Sequence, residues 1–355
     1  MIKQTSIDEV LNCSNIHDVA SWYTTLKANV GCCPLHDEKS PSFRVNLVKQ
    51  IFKCFGCGKG GDAFTLVMAM ENLKFNEAVE FLAARHNITL EYDQASQQQS
   101  QEVKDQKADM LWVAAYANQL YQDQMKKLPT NHPAKVYLQN RGYDESKIIE
   151  WQLGYAPDEW KFLTSRIIEQ GKYQAAFDMG LVSTKEGNSW DFHRNRITMP
   201  IHDQNGIVVG IASRMIPTGD PVKDKDTAKW FNPAQSLVYD KKKIYYGLWQ
   251  AQRAIKKENS FYLVEGYFDL QAMHDAGMLN TIAASGTEVD KEQAKYLKRY
   301  ADEVILTFDA DEAGINKQMK HIDIFLKLDF KVVECILPSG MDPHDFIQSL
   351  PKQAS

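Results

Sequence analysis

The order of apolar and polar positions divides the first half of the chain into stretches of different character. Residues 1–92 combine short helical patterns with a stretch rich in glycine and cysteine. The following DQASQQQSQEVKDQKA contains six glutamines and almost no apolar side chains, which is typical of a linker. Helical spacing of apolar residues resumes in ADMLWVAAYANQLYQDQMKKL, and PAKVYLQNRGY predicts a short helix that ends at Gly142. We therefore expect a new domain to start near Asp109.

Strand patterns begin in the second half of the chain. Between about 190 and 250, ITMPIHD and GIVVGIAS flank the turn Gln204-Asn205-Gly206, which predicts a hairpin and an α+β region. The last hundred residues then alternate apolar strands with helical patterns, the strands being expected at 261–265, 281–284, 303–308 and 330–337. This alternation predicts a mainly parallel, Rossmann-like sheet covered by helices.

Carboxylates follow two of these predicted strands. Glu265 closes the first, Asp309 and Asp311 follow the third, and Asp269 begins a predicted helix four residues after Glu265. Ligands of parallel sheets gather at the carboxyl ends of the strands, and acids this close together repel one another unless a cation lies between them. The pattern favours Mg²⁺ or Mn²⁺ and phosphoryl transfer, with two ions that activate a 3′-hydroxyl and stabilise leaving pyrophosphate. The alternative is solvated acids that cap helix N-termini.

Composition and charge narrow the class of protein. With 355 residues, 44% of them hydrophobic, the chain is long enough for roughly two or three domains. It has no apolar run of about 18 residues and no signal peptide, so we expect a cytoplasmic protein without a membrane partner. The net charge is −5, yet residues 191–257 hold 12 Lys and Arg against 6 Asp and Glu, whereas residues 258–355 hold 9 against 17. The basic block suits a polyphosphate backbone, although two solvated faces would look the same.

Four ligand-type side chains have the spacing of a structural zinc site. Cys33 and His36 form one pair, Cys54 and Cys57 the other, and 17 residues separate the two pairs. Two-residue gaps within each pair suit a tetrahedral Cys3His site, and the neighbouring glycines provide the backbone freedom that a tight knuckle needs. Cys32 competes with Cys33 but would leave three residues before His36, so we expect it to be an ordinary thiol.

The zinc segment also resembles a known family. CCPLHDEKSPSFRVNLVKQIFKCFGCGKGGDAFTLV is similar to the CHC2-type zinc ribbon that opens DnaG-type bacterial primases. The resemblance implies a structural zinc, one per chain, in a domain that helps to choose the template start site. It further suggests phosphate contacts and a base-stacking face from four side chains, with an ordinary solvated surface as the alternative: Lys39, Phe43, Arg44 and Lys53.

The predicted parallel sheet carries a second resemblance. LVEGYFDLQA and LTFDADEAG are similar to the two signature segments of the Toprim fold, shared by these primases and topoisomerases. SGMDPHDFI matches a third segment, where the family usually has Asp-Pro-Asp. Here Asp342 matches the first acid, and His344 replaces the second. Either Asp345 takes over that position or one magnesium site is weakened.

The basic block resembles the family's template- and nucleotide-handling segments. In HRNRITMPI, GIASRMI, AKWFN and YDKKKIYYGL, the matching positions are Arg194, Arg196, Arg214, Lys229 and Lys241. Planar guanidinium groups suit bidentate contacts to phosphate, and lysine adds a flexible charge. The resemblance therefore implies nucleic-acid and nucleotide binding by these five, each of which taken alone is equally typical of a plain surface residue.

The resemblance covers residues 7–349 and implies a complete domain plan. We expect an α/β and α+β multidomain chain with a zinc-binding domain (1–92), a Gln-rich linker (93–108), the N-terminal subdomain of the RNA polymerase core (109–257), a Toprim subdomain (258–349) and a tail (350–355). The family's later helical and helicase-docking parts are expected to be missing, either from a shortened form or from a compact primase of a phage, plasmid or mobile element.

The implied function is DNA primase activity, a nucleotidyl transfer in the primosome during DNA replication. Its partners would be single-stranded DNA, ribonucleoside triphosphates, the RNA primer product and possibly a replicative helicase. The alternatives are a Toprim-containing nuclease or a non-catalytic single-stranded DNA-binding protein of a mobile element.

Overall fold

The computed structural model describes residues 1–71, 73–92, 94–285, 289–310 and 312–350. Asp311, one of the predicted metal ligands, lies outside the described residues. The chain divides into two compact units, Met1–Lys104 and Asp105–Ser355, called here the N-terminal and C-terminal units. Among the described helices, none has the length and apolar character needed to cross a membrane.

The N-terminal unit combines a small antiparallel sheet with helices. The strands follow the order β1 (Val30–Gly31), β2 (Phe43–Asn46), β3 (Ile51–Cys54) and β4 (Gly60–Gly61). The helices are α1 (Gln4–Cys13), α2 (Ile16–Ser21), α3 (Ala63–Glu71) and α4 (Phe75–Arg85). Strand β2 alternates buried and exposed residues, and its Phe43 stacks on Phe52 of β3 with 5.1 Å between ring centroids. These rings share one hydrophobic core with buried residues of all four helices, which holds the sheet in place.

Helix α5 (Gln94–Lys127) contains the division between the units. The glutamine-rich stretch expected as a linker is therefore helical from Gln94 onward. Glutamine, alanine and lysine are good helix formers, so a sequence without apolar periodicity continues the helix that the apolar spacing after Asp109 predicts. The start of this helix was predicted about fifteen residues too late, because periodicity detects a buried face and not a helix as such.

The first part of the C-terminal unit is α+β, as predicted. Its strands are β5 (Gly154–Ala156), β6 (Val182–Lys185), β7 (Asn188–Asp191), β8 (Arg196–His202), β9 (Val208–Met215) and β10 (Trp230–Phe231). The sheet order is β10-β9-β8-β5, and β6 pairs with β7. The helices are α6 (Pro133–Asn140), α7 (Glu145–Glu150), α8 (Phe162–Glu169), α9 (Tyr173–Asp178), α10 (Pro221–Asp226) and α11 (Leu248–Glu258). The predicted hairpin is β8–β9, with Gly206 at φ +82° in its turn.

The second part of the C-terminal unit contains the predicted parallel sheet. Its strands are β11 (Ser260–Val264), β12 (Thr281–Ala283), β13 (Glu303–Leu306) and β14 (Lys331–Glu334), in the order β12-β11-β13-β14. The remaining helices are α12 (Tyr267–Asp275), α13 (Lys291–Leu297), α14 (Glu312–Leu326) and α15 (Pro343–Ser349). All three strand pairs are parallel, and Leu263 of β11 pairs with Leu306 of β13. The residues that follow these two strands therefore emerge at the same edge of the sheet.

Candidate functional site

A cavity of about 240 Å³ lies at the carboxyl edge of the parallel sheet. Four carboxylates line it: Glu265, Asp269, Asp309 and Asp342. Glu265 follows β11, Asp309 follows β13, Asp269 lies in the first turn of α12, and Asp342 is the N-cap of α15. The sheet therefore brings together acids that are up to 77 residues apart in sequence.

Asp269 is the most buried acid in this group. Burial, together with the negative charges of Asp342 and Asp309, raises the pKa of its carboxyl to about 7. The backbone N–H groups of Gly266 and His344 donate hydrogen bonds to the carboxylate, which opposes that rise and fixes its orientation. A Cβ on Gly266 would lie 2.5 Å from Asp269 Oδ2, so this close approach requires glycine at position 266.

The chemistry of this group fits a divalent cation. Glu265 Oε2 accepts a hydrogen bond from Lys317 Nζ. Its other oxygen, Oε1, is buried, and no donor lies within hydrogen-bonding distance of it in the part of the chain that the structure describes. A buried carboxylate oxygen costs free energy unless a donor or a cation compensates it. The orphaned Glu265 oxygen and the like charges around Asp269 are both explained if a hard cation binds here.

The segment around His344 reaches the cavity through Asp342. Asp342 lines the cavity, and its Oδ1 accepts the N–H of Asp345 at 2.7 Å. His344 is buried, with Nε2 3.1 Å from the carbonyl oxygen of Arg141 and Nδ1 3.3 Å from Asp345 Oδ1. Asp345 is exposed, and it is not among the described residues that line the cavity. The structure thus brings Asp342 to the other acids that line the cavity, and ligand-type atoms of His344 and Asp345 lie within 4.8 Å of it and of each other without lining the cavity. Whether Asp345 binds a metal stays a prediction.

Three basic side chains line the same cavity as the acids. Arg214 and Lys229 are two of the predicted basic residues, whereas Arg141 was missed. Arg141 follows α6, and its guanidinium lies 4.7 Å from the centre of the Phe268 ring. In the sequence Arg141 is a single arginine before the helix-ending Gly142, and only the fold shows that this turn reaches the cavity. Arg214 is also buried, which lowers the pKa of its guanidinium, and its Nε donates to Tyr137 Oη at 3.1 Å.

The other predicted basic residues lie elsewhere. Arg194 stacks on the exposed ring of Trp160, 3.4 Å from its centre, and Lys241 is exposed. Arg196 is only 3% exposed and its guanidinium lies over Phe231. Burial lowers the pKa of Arg196 to about 10, so it stays charged at neutral pH.

Arg196 is bonded to the backbone that carries Lys229. Its Nη2 donates to the carbonyl oxygens of Ala228 at 2.6 Å and Lys229 at 3.2 Å, and its Nε donates to Ser213 Oγ at 3.0 Å. The structure therefore shows Arg196 fixing the position of Lys229. A direct contact between Arg196 and phosphate stays a prediction.

Replacement of Arg196 by alanine is expected to destabilise the C-terminal unit by about 3 kcal/mol, because the partly buried carbonyl oxygens of Ala228 and Lys229 and the buried Ser213 hydroxyl lose their charged donor. Calorimetric unfolding of the purified protein measures this change. Arg194→Ala is the matched control, since loss of a stack on an exposed ring should cost less than about 1 kcal/mol. An Arg196→Ala protein as stable as the control would show that these hydrogen bonds do not hold the fold.

A second cluster of ligand-type side chains lies in the N-terminal unit. Sulfur and nitrogen atoms of Cys33, His36, Cys54 and Cys57 all lie within 4.8 Å of one another. Cys54 ends β3, and its Sγ is 4.0 Å from His36 Nδ1. Cys32 is not part of this group. Three sulfurs and one imidazole nitrogen are a donor set that suits zinc.

The thiols of this cluster differ in their environment. Burial raises the pKa of Cys33 to about 12. Burial also acts on Cys54, but contact with the Ser42 hydroxyl and hydrogen bonds from the backbone N–H groups of Cys57 and Gly56 outweigh it and lower the pKa of this thiol to about 6. These contacts favour the thiolate of Cys54, which is the form that binds metal.

The surface beside this cluster differs from the one that the sequence suggested. Phe43 is fully buried in the core, so it offers no stacking face to a base. Phe55, between the two cysteines of the second pair, is 69% exposed, and the Arg44 guanidinium lies 5.6 Å from its ring centre. The ammonium group of Lys53 donates to the carbonyl oxygen of Gly58 at 2.6 Å and closes the knuckle.

Comparisons with known proteins agree along the chain. The family described as "CHC2 zinc finger" matches residues 2–98, "DNA primase catalytic core, N-terminal domain" matches 120–252, and "Toprim-like" matches 262–347. A curated relative named "DNA primase", from Halalkalibacterium halodurans, is 34% identical over 98% of this chain, and another from Clostridium acetobutylicum is 33% identical over 100%. The chain spans 57% and 58% of the length of these two relatives.

Solved structures give the same result. The zinc-binding and RNA polymerase domains of the Aquifex aeolicus primase match with a TM-score of 0.62 and 31% identity, over 97% of this chain and 82% of that one. A DnaG primase catalytic domain bound to single-stranded DNA matches with a TM-score of 0.62 and 27% identity, over 70% of this chain and 79% of that one. Models of a zinc ribbon, a primase core and a Toprim-like domain thus match successive parts of this chain, and the chain belongs to the DnaG-type primase family.

Proposed function

We propose that this chain is the zinc-ribbon and polymerase part of a DNA primase, which synthesises short RNA primers on single-stranded DNA. The observation that carries the proposal is the cavity at the sheet edge, where four carboxylates face three cations. This arrangement suits a reaction in which negatively charged phosphates meet metal-binding acids. The related catalytic domain bound to single-stranded DNA supports the choice of template. A replicative helicase as partner and a cytoplasmic location stay predictions.

In this proposal Glu265, Asp309 and Asp342 hold divalent cations, with Asp311 and Asp345 as the further predicted ligands. When bound, Mg²⁺ or Mn²⁺ favours ionisation of the attacking 3′-hydroxyl and neutralises charge on the transferred phosphoryl group. The protein's own contribution is to fix the acids in position. Asp269 is itself held by the N–H groups of Gly266 and His344, which orient its carboxylate. Lys317 holds one oxygen of Glu265, and the other oxygen is buried without a donor among the described residues, which leaves it available to a cation.

The cations of the cavity would bind the triphosphate and the template backbone. Arg141 and Arg214 are held by aromatic neighbours, which limits the conformational entropy they lose on binding phosphate. Lys229 is exposed, and Arg196 holds its backbone in place. The ammonium group at the end of its flexible side chain can therefore reach a phosphate. Arg194 on Trp160 and the exposed Lys241 would extend this basic surface away from the cavity.

For the N-terminal unit we propose one structural zinc ion, bound by Cys33, His36, Cys54 and Cys57. The ion would hold β3 and the knuckle after it to the loop that contains the first ligand pair. The exposed ring of Phe55 with Arg44 beside it would then serve as the contact to an unpaired template base. This replaces Phe43 in the role that the sequence suggested.

The proposed activity is tested by incubating the protein with single-stranded DNA, Mg²⁺ and labelled ribonucleoside triphosphates. We expect short RNA products that require the template and disappear when Mg²⁺ is chelated. Shortened DNA would instead indicate the nuclease alternative. Retention of DNA without any new product would indicate the binding-protein alternative. Either of these two outcomes contradicts primer synthesis by this chain.

A further inference from the structure

An acidic side chain that is not one of the proposed ligands contacts the zinc cluster. Glu38 lies in the loop after His36, and its side chain is only 10% exposed. Its Oε2 is 3.3 Å from His36 Nε2. The other ring nitrogen, His36 Nδ1, is 4.0 Å from Cys54 Sγ. The two ring nitrogens therefore face different partners: the thiol cluster and a carboxylate.

Glu38 also connects the remaining parts of the cluster. Its Oε1 accepts the backbone N–H of Cys33 at 2.6 Å and that of Ser42 at 3.0 Å. Its Oε2 accepts the Ser42 hydroxyl, whose oxygen lies 3.2 Å from Cys54 Sγ. One carboxylate thus touches the first ligand pair directly, through Cys33 and His36, and the second pair through Ser42.

The space around this carboxylate is closed by the knuckle. Gly56 N–H donates to Ser42 Oγ at 3.1 Å. A Cβ on Gly56 would lie 2.8 Å from His36 Nε2 and 3.1 Å from Glu38 Oε2, too close for a side chain. Because Gly56 lies between Cys54 and Cys57, the knuckle packs directly on the contact between His36 and Glu38. A carboxylate enclosed in this way is costly unless its oxygens accept hydrogen bonds.

We propose that Glu38 is a positioning residue of the zinc site, which fixes His36 with a proton on Nε2 and presents Nδ1 to the metal. A neutral imidazole has one N–H, and an acceptor beside Nε2 favours the form in which Nδ1 carries the free electron pair. Such carboxylates orient ligating histidines and increase their basicity. The inference rests on the proposed zinc ligands and goes beyond them, because it assigns the metal-binding nitrogen and a residue that controls affinity.

Glu38→Gln tests the proposal through zinc affinity, measured by competition with a chromophoric chelator. The amide keeps the size of the side chain but loses the charge. Its single oxygen is needed to accept the N–H groups of Cys33 and Ser42, so its NH2 group lies beside Nε2 and cannot accept that proton. We expect the zinc dissociation constant to rise by about 10- to 100-fold. Asp37→Asn is the matched control, since it removes the same charge from the neighbouring exposed residue and should leave affinity unchanged.

The outcomes separate this inference from the zinc assignment itself. If the wild-type protein binds no zinc, the proposed ligands fail. If it binds zinc and Glu38→Gln has wild-type affinity, or if both variants weaken binding equally, the positioning role fails while the ligands stand.

A measurement on the wild-type protein keeps the test independent of variant folding. Nitrogen-15 spectra of the His36 ring in the zinc-loaded protein should show metal at Nδ1 and a slowly exchanging proton at Nε2. Ligation through Nε2 would overturn the proposal.

Discussion

Asp309→Asn is expected to abolish primer synthesis while the protein stays folded and still binds DNA. The asparagine keeps the shape of the side chain but loses the charge that holds a cation at the sheet edge. A loss of about 4 kcal/mol of transition-state stabilisation corresponds to a roughly 1000-fold decrease in rate. Glu265→Gln should behave in the same way, because it removes the carboxylate whose Oε1 is buried at the cavity. Labelled RNA on a single-stranded template measures both variants.

The control for these variants is Asp323→Asn, which removes an equal charge from an exposed position of α14. It should keep wild-type activity, so a general effect of net charge can be separated from loss of the site. Thermal unfolding gives a second readout: Asp309→Asn should be at least as stable as wild type without Mg²⁺ and should gain less stability when Mg²⁺ is added. Full primer synthesis by Asp309→Asn would exclude this cavity as the catalytic centre.

The same variant should change how stability depends on pH. The pKa of Asp269 is raised to about 7 in the folded protein, above its ordinary value of 3.8. The folded state therefore binds more protons than the unfolded state between these values, so this group's contribution is fully present below pH of about 4 and is lost as pH rises toward 7. Asp309→Asn removes one of the charges that raise this pKa, so the free energy of unfolding should fall less in the variant than in the wild type as pH rises from about 4 to about 7. Unfolding in metal-free buffer at several pH values measures it.

The sequence predicted the positions of the acids because a simple rule connects them. Apolar strands that alternate with helices form a parallel sheet, and residues directly after two neighbouring strands must emerge at one edge. The register of Leu263 with Leu306 shows this for Glu265 and Asp309. Zinc-ligand spacing is equally local, since the two-residue gaps are properties of the knuckle and not of the fold. The zinc ligands of each pair are close in sequence, and the acids are brought together by the regular geometry of a parallel sheet, so both sites can be predicted without knowledge of other long-range contacts.

Residue type alone did not show which cations reach the cavity. Arg196 and Arg214 occupy neighbouring antiparallel strands, yet Arg196 donates to the backbone near Lys229 while Arg214 lines the cavity. Arg141 reaches the same cavity from a turn more than 70 residues earlier in sequence. Whether a guanidinium faces a cavity or a carbonyl oxygen depends on contacts between distant segments. A basic block in the sequence therefore indicates a charged region without identifying its binding residues.

A similar cause explains why Phe55, and not the predicted Phe43, is the exposed aromatic side chain beside the zinc cluster. Both aromatics flank the zinc ligands, and strand alternation directs Phe43 inward, onto Phe52. Phe55 follows the end of β3, where alternation no longer applies, and it is exposed on the knuckle. The period-2 pattern of β2 contained the signal for burial of Phe43, since Phe43 and Val45 are both apolar and Arg44 is charged.

Cys54→Ser is expected to release the zinc ion from the N-terminal unit and to destabilise its sheet. A structural zinc contributes on the order of 10 kcal/mol to the folding of small zinc domains, so its loss is among the largest effects of a single substitution. Cys33 and Cys54 belong to the apolar core that the sheet shares with the four helices. The helix residues of this core also pack on one another, so we expect the helices to persist while β2 and β3, which carry or adjoin the ligands, lose protection. Elemental analysis after dialysis should fall from about one zinc per chain to a small fraction. Hydrogen exchange then shows which strands and helices lose protection of their backbone N–H groups.

Cys32→Ser is the matched control for this prediction, since it makes the same chemical change one residue from a proposed ligand. The Cys32 sulfur is not part of the cluster, and the contact described for this residue uses its backbone carbonyl, which accepts the Thr24 hydroxyl at 2.8 Å. Zinc content and exchange should therefore stay at wild-type values. If Cys32→Ser releases zinc and Cys33→Ser retains it, the ligand is Cys32 and the first pair has three intervening residues. If well-folded wild-type protein contains no zinc at all, the ion does not stabilise this unit, and the core between sheet and helices must do so alone.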